Sequence, residues 1–458
     1  MMNSPVVAVV GAGLAGSEAA WQLAARGISV RLYEMRPAKT TPAHSTGACA
    51  ELVCSNSFKS LNPASAAGCL KSELVALGSF VLRCAFETQI PAGTALAVDR
   101  EAFSHQVTDG LQRQQNISFV NREVCELAEL KADGCEYAII STGPLTSDLL
   151  AADIKSRLGS EYLSFFDAAA PVVDAASLDY DVLFAQSRYD KTEADYLNAP
   201  FSKQEYEYFI QELLSAKRVI TRDFERRELF AACQPVEEVA RTGLDALRFG
   251  ALKPVGLVDP STGRRPWAAV QLRAENSACS AYNLVGFQTN LTFSEQERVF
   301  RLIPGLGHAE FVRYGVMHRN TFIDTPRALG PRFELPEHTC IRFAGQITGT
   351  EGYTEAIASG LLAALNTCAQ IKGFEPVTLP AVTSFGALCA YATDPATVDY
   401  QPMHVNFGIM PPLEQALRNK RQRYEAYATR ANEALEDFLA RRRDLAFSTH
   451  FARERIDE

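Results

Sequence analysis

Apolar and polar positions between Val6 and Glu34 follow two periods in turn. Val6–Val10 is an unbroken apolar run, as expected of a strand buried on both faces of a parallel sheet. Residues 17–26 carry apolar positions at helical spacing and stop at Gly27, and a second strand follows and ends at Glu34. Between the first strand and the helix stand Gly11, Ala12, Gly13, Leu14, Ala15 and Gly16, the spacing GxGxxG. Gly11 permits a tight turn, Gly13 lets the backbone approach a pyrophosphate, and Gly16 lets helix and strand pack closely. The anion then sits on the amides at the helix start, and Glu34, at the end of the second strand, is placed to accept hydrogen bonds from ribose hydroxyls. Two later stretches repeat the pattern. Residues 137–147 read as a short strand ending in a glycine turn. Residues 343–366 read as a strand, a turn holding Gly345, Gln346, Gly349 and Gly352, and a helix. Segments that return so late to a nucleotide domain suit a flavoprotein, whereas a nicotinamide dehydrogenase usually keeps that domain contiguous. The pattern points to FAD over NAD; the plainer reading is that the late glycines only turn a surface loop.

Composition narrows this further. A chain of 458 residues is typical of two domains, and 47% hydrophobic with 22% charged residues is ordinary for a soluble globular protein. No apolar run is long enough to span a membrane and no basic segment precedes the first one, so neither a membrane span nor a signal peptide is expected, and the chain reads as cytoplasmic. The net charge of -9 excludes a generally basic nucleic-acid binder and leaves only local patches. One patch is Lys217, Arg218, Arg222, Arg226 and Arg227, continued by Lys253, Arg264 and Arg265; another is Arg418, Lys420, Arg421 and Arg423 with Arg441, Arg442 and Arg443. Asp223, Glu225, Glu425 and Glu433 are interspersed, so solvated helix faces are the competing account. Neither patch carries paired aromatics of an RNA-recognition motif, so RNA specificity would rest on RNA shape and on a base turned out of its stack.

Eleven cysteines at no framework spacing read as free thiols, and no cluster has the spacing of a metal site. Two stand out. Cys54, in "ELVCSNSFKS", has Ser55, Asn56 and Ser57 beside it and Lys59 near enough in sequence to favour a thiolate. Cys233 precedes Gln234 and Pro235, a helix-start signature whose amides would lower a thiol pKa.

The stretches "GAGLAGSEAAWQLAARG", "ELVCSNSFKS", "FFDAAAPVV", "KPVGLVDPSTGRRP", "FVRYGVMHRNTF", "FAGQITGTEGY" and "YQPMHVNFG" together resemble the folate- and FAD-dependent tRNA (uracil-5-)-methyltransferase family, TrmFO, in colinear order from Val6 to about Phe438. The resemblance implies methylation of uridine carbon 5 in RNA, at uridine 54 of the tRNA T-loop. 5,10-Methylenetetrahydrofolate would donate the carbon, reduced FAD would be the reductant, and NADPH or NADH the electron donor. It implies Cys233 as the nucleophile that adds to carbon 6, and Cys54 as a thiol near the flavin that takes part in or protects the one-carbon intermediate. Related larger flavoproteins that modify the wobble uridine carry a long C-terminal extension for which this chain has no room, and nothing calls for a protein partner. Two positions depart from the family pattern: Asn290 in "FQTNL" stands where a histidine is expected to stack on folate, and Ala199 in "NAPF" stands where a cysteine is usual. The same chemistry on ribosomal RNA, or a flavin-stabilised RNA-binding protein without turnover, are the alternatives.

The expected fold class is therefore α/β: a Rossmann-type FAD-binding domain split in sequence between residues 1–190 and 325–458, the latter ending in a helix. A smaller α/β domain is inserted at 191–324.

Overall fold

The structure, a computed structural model, describes residues 5–41, 43–159, 163–188, 194–219, 234–397, 400–415 and 417–445. Its first sheet has five parallel strands in the order His338–Phe343, Tyr137–Ile140, Val6–Val10, Ser29–Tyr33 and Ile117–Val120, and Glu334–Leu335 closes one edge antiparallel. Val6–Val10 lies in the middle, which explains its unbroken apolar run: Val7, Ala8 and Val9 are fully buried. The late strand reaches the sheet because the helix that follows it, Tyr353–Lys372, crosses the first helix, Leu14–Ala25, in backbone contact. A Cβ at Gly360 would stand 2.1 Å from the Ala15 carbonyl oxygen, so only glycine allows that crossing.

A second sheet is antiparallel throughout, in the order Phe184–Ala185, Tyr196–Phe201, Ala268–Ala274, Ala281–Leu284, Val172–Asp174 and Phe311–Arg313. With helices that include Lys203–Ser215 and Phe293–Phe300 it encloses its own core, in which Phe201, Phe209, Phe287 and Phe300 pack ring to ring. Leu163–Ala168 pairs antiparallel with Met317–Phe322, forming a two-stranded ribbon where the chain leaves the first sheet and returns. Strands of the second sheet thus span 172 to 313, and the first two of them, Val172–Asp174 and Phe184–Ala185, lie before residue 190. A small sheet of Ser57–Ser60, Ala95–Val98 and Gln89–Ile90 stands beside Cys54. The helix Lys420–Arg441 is capped by Asn419 and buries Ala428, Ala431 and Leu435. Among the described residues no helix is long and apolar enough to cross a membrane, and no group of His, Cys, Asp and Glu could hold a metal ion.

Candidate active site

One cleft is lined by the C-terminal end of the parallel sheet, and Gly11, Gly13, Leu14, Ala15, Glu34, Gly345, Gln346, Cys54 and Tyr353 are on its wall. The three glycines of the first turn differ in what demands them. Gly11 has φ +94° and a Cβ there would meet the Ser141 carbonyl at 2.7 Å; a Cβ at Gly16 would lie 1.8 Å from the Gly11 carbonyl. Both are required by the protein itself. A Cβ at Gly13 would meet no protein atom within 4 Å. It would project into the space left at the start of the helix Leu14–Ala25, where a pyrophosphate fits the free amides and the positive end of the helix dipole. The residues present therefore suit a dinucleotide.

Glu34 is held in place from both sides. Its Oε2 accepts from the Ala12 amide at 2.9 Å and from Arg36 Nη2 at 3.2 Å, and its Oε1 accepts from the Arg36 amide and Nε, each at 3.0 Å. Burial pushes the carboxyl up, but the hydrogen bonds and charge of Arg36 with the two amides outweigh this and hold it below the usual range. A ribose hydroxyl would have to share or replace one of these bonds. Arg36 also reaches Glu51 at 3.0 Å, and Glu51 in turn accepts from the Ser45 amide and the Thr46 hydroxyl, tying the turn to the segment that leads into Cys54.

The late glycines divide. Gly345 and Gln346 line the cleft, whereas Gly349 and Gly352 back onto Tyr400 and Glu355, which a Cβ would meet at 2.4 and 2.3 Å. All three have positive φ, so each is glycine for the turn it makes. Ala12 acts through its amide on Glu34, and Gly16 through packing; neither is among the lining residues described.

Cys54 is half-buried, and its neighbour is Tyr353 rather than Lys59, whose Nζ lies 3.7 Å from Glu355. The Tyr353 hydroxyl accepts from the amides of Cys54 and Ser55, both at 3.1 Å, and donates to the Ser55 carbonyl at 2.9 Å. The Cys54 Sγ lies 3.2 Å from the same oxygen, within hydrogen-bond distance, and is on the cleft wall. Burial, then the nearby Cys54, raises Tyr353 well above the ordinary phenol value, so it stays neutral. The loop is gripped from the other side by two arginines, Arg273 buried and Arg100 partly so. Arg273, on the second sheet, donates to Asn56 Oδ1 at 2.8 Å and to Ser55 Oγ at 2.9 Å, and Asn56 donates to the Val98 and Ala274 carbonyls at 3.0 Å. Arg100 bonds the carbonyls of Leu52 and Val53 and pairs with Glu275 at 2.7 Å. Tyr353, Arg100, Arg273 and Glu275 were not singled out from the sequence; only Tyr353 stands inside a motif, "FAGQITGTEGY", where an aromatic at a helix start reads as packing.

Cys233 lies outside the described residues, as do Arg222, Arg226 and Arg227. Asn290 is 1% exposed, with its amide bonded to Glu237 at 2.7 Å, and is not among the residues described on the cleft wall. Arg218 pairs with Glu238, Arg421 with Glu425 and Arg442 with Asp444, so part of each basic cluster is spent on ion pairs within the protein.

Comparison with known proteins follows the same lines. The family model described as Glucose inhibited division protein A matches residues 6–375. A Moorella thermoacetica protein named Methylenetetrahydrofolate-tRNA-(uracil-5-)-methyltransferase TrmFO is 51% identical over 430 residues, 94% of this chain and 97% of that one. One of the same name from Bacillus cytotoxicus is 48% identical over 438 residues, 96% of this chain and 100% of that one. Among solved structures, Aquifex aeolicus GidA in crystal form I superposes with a TM-score of 0.69 at 16% identity over 98% of this chain and 77% of that one, a likeness of fold.

Proposed function

The chain belongs to the TrmFO branch of the glucose-inhibited division protein A family, and on that premise we propose how it works. It is a methylenetetrahydrofolate-tRNA-(uracil-5-)-methyltransferase and moves a one-carbon unit from the folate to carbon 5 of a uracil in tRNA. The observation that carries this is identity at about half of all positions, along nearly the whole chain, with proteins of that name. A cleft shaped for a dinucleotide, with a half-buried cysteine on its wall, supports it. The target is uridine 54 of the T-loop, and NADPH or NADH is the electron donor. Only one dinucleotide fingerprint is present in the sequence, so this donor binds transiently.

Carbon 5 of uracil is a weak nucleophile. A thiolate adding to carbon 6 makes it an enolate that can take up the methylene carbon; loss of the carbon 5 proton then expels the folate nitrogen with its electron pair, leaving an exocyclic methylene, and a hydride delivered there expels the thiolate and restores the ring. FAD, when bound and reduced, supplies the two electrons that turn methylene into methyl. Gly11, Gly13 and the amides of the helix Leu14–Ala25 would hold its pyrophosphate and Glu34 its ribose, with Gly345 and Gln346 on the same wall. Cys233 is the nucleophile. Cys54, pinned by Tyr353, Arg273 and Arg100, presents its sulfur to the one-carbon unit.

The test is direct. With methylenetetrahydrofolate and NADPH, the protein should place 5-methyluridine in tRNA from a strain lacking this activity, read by nucleoside mass spectrometry; product in ribosomal RNA alone would redirect the substrate, and no product would end this reading. RNA with 5-fluorouridine at the target cannot lose a proton from carbon 5 and traps the thiol adduct. The adduct should vanish with Cys233→Ala; if only Cys54→Ala abolishes it, the roles of the two thiols are reversed.

A further inference from the structure

Away from the flavin cleft, the region of the second sheet carries a groove of about 1110 Å³. Lys203, Arg248, Lys253, Arg264 and Arg265 line it, with Glu205 and Asp259 as its carboxylates. Both carboxylates are committed elsewhere. Glu205 accepts from the Ser202 amide at 2.8 Å in a capping box, and Asp259 accepts from the Ser261 amide, the Ser261 hydroxyl and the Thr262 hydroxyl at 2.9, 2.8 and 3.2 Å. Arg264 and Arg265 are exposed and make no ion pair among the described residues. On a chain of net charge -9 the groove is a local basic surface.

It also has an aromatic side. The guanidinium of Arg248 lies 3.7 Å from the centroid of the Trp267 ring, and Phe249 beside it is 81% exposed, with its ring open to solvent. An uncovered ring among cations is the surface on which nucleic-acid bases stack while their phosphates are neutralised.

The groove's distance from the chemistry selects its occupant. Trp267 immediately precedes the strand Ala268–Ala274, whose far end carries Arg273, bonded to Ser55 and Asn56 beside Cys54. At about 3.3 Å per residue the two ends are about 20 Å apart. A nicotinamide ring must come within about 3.5 Å of the atom it reduces, so the reactive end of a hydride donor does not sit here. A molecule that reaches both places is long and polyanionic.

Resting on the tRNA reading above, we propose that this groove docks the tRNA backbone, binding phosphates of the helical part of the substrate about 20 Å from Arg273 beside the Cys54 loop, with Phe249 stacking on an accessible base. Phosphate contacts position the RNA and carry no sequence choice, so the groove contributes affinity and register while the cleft selects the uridine.

The test uses the full-length holoenzyme with Arg264→Ala and Arg265→Ala combined, and Phe249→Ala separately. The arginine pair should raise the Kd and KM for tRNA about tenfold at low salt and lower the slope of log Kd against log salt by about 1 to 2. Phe249→Ala should weaken binding about tenfold with no change of slope. In both, kcat at saturating tRNA, bound FAD and the KM for NADPH should stay as in the wild type. A T-loop oligonucleotide without its stem should bind wild type and arginine variant alike. Unchanged tRNA affinity and slope in the arginine variant, beside a wild type that methylates tRNA, overturn the groove alone. A raised KM for NADPH with unchanged tRNA binding makes it a nicotinamide site and overturns it too. A wild type that leaves tRNA unmethylated overturns it together with the reading on which it rests.

Discussion

The glycine turn at residues 11–16 and the loop at Cys54 line one cleft, yet they are built in opposite ways. The turn is specified by its own neighbourhood: Gly11, Gly13, Gly16 and Glu34 belong to one strand-turn-helix-strand unit, and the Ala12 amide meets the Glu34 carboxylate across 22 positions. The loop is specified from far away. Tyr353 grips Cys54 across 299 positions and Arg273 grips Ser55 across 218, so its geometry exists only once both sheets have formed and docked. The cofactor-binding wall can be recognised in a short stretch of chain. The reacting wall depends on the junction of the whole molecule, and substitutions should separate the two.

The largest effects belong to the turn, and they divide by glycine. Gly16→Ala drives a Cβ to 1.8 Å from a backbone oxygen and 2.5 Å from Ser141 Oγ, so the strand, the turn and the helix must part. A loss of about 4 kcal/mol or more is expected, seen as a low Tm or insoluble protein. Gly13→Val meets no protein atom at its Cβ, and its φ of -72° suits any residue. It should fold with Tm near that of flavin-free wild type while binding no FAD, giving a colourless protein. A yellow Gly13→Val would show that the space beside Gly13 is not where the pyrophosphate lies.

On the other wall the flavin should persist while turnover fails. Cys54→Ala should keep FAD absorbance and its reduction by NADPH, and lower 5-methyluridine formation by about a thousandfold or more. Arg273→Leu is subtler. It takes the Arg273 donor from Asn56 Oδ1 and from Ser55 Oγ, the latter keeping the Ser57 amide at 3.1 Å, and the loss at Asn56, which is buried, costs about 1 to 3 kcal/mol in stability. The loosened loop should lower kcat tenfold to a hundredfold with FAD content unchanged. If Arg273→Leu sheds FAD but keeps kcat in the molecules that retain it, the two walls are not independent.

What was legible in the sequence follows the same division. The parallel sheet, the turn and its acid were readable because helix and strand periods and the glycine spacing are local. The late return of residues 343–366 was readable too, but not the partition of its glycines, since Tyr400 and Glu355 fill the space beside Gly349 and Gly352 and leave Gly345 to the cleft. Lys59 looked like the partner of Cys54 because it is close in sequence; its φ of +66° and Glu355 direct it elsewhere. The opening strand of the second sheet, Val172–Asp174, has three residues, too few to show a period. Cys54 was picked out by its polar neighbours and by family resemblance, while Arg100, Arg273 and Tyr353 carried no local sign of the contacts they make.

The smallest effect is on stability against pH, and it sets two side chains of one helix, Ala66–Ala76, against each other. Glu73 accepts from the amides of Ser384 and Phe385 at 2.6 and 3.0 Å at the start of the helix Ser384–Thr393, on the side of the first sheet's core. Lys71 donates to the Ser60 carbonyl at 3.0 Å, on the side of the Cys54 loop. Burial disfavours charge on both: it pushes Glu73 from 4.5 up to about 7, against the pull of the two amides, and Lys71 from 10.5 down to about 8. Between pH 4.5 and 7 the folded protein keeps a proton on Glu73 that the unfolded chain has lost, so stability falls as pH rises. Between pH 8 and 10.5 the unfolded chain holds a proton on Lys71 that the folded protein has lost, so this group's contribution rises with pH. Each group's contribution is limited to about 1.4 kcal/mol per pH unit, or about 3.5 kcal/mol over its whole shift. Urea titrations should therefore show, between pH 4.5 and 7, a wild-type stability that falls relative to Glu73→Gln as pH rises, and between pH 8 and 10.5 one that rises relative to Lys71→Met. A wild-type stability that instead rises relative to Glu73→Gln as pH rises from 4.5 would mean that the two amides outweigh burial and that Glu73 is a charged helix cap.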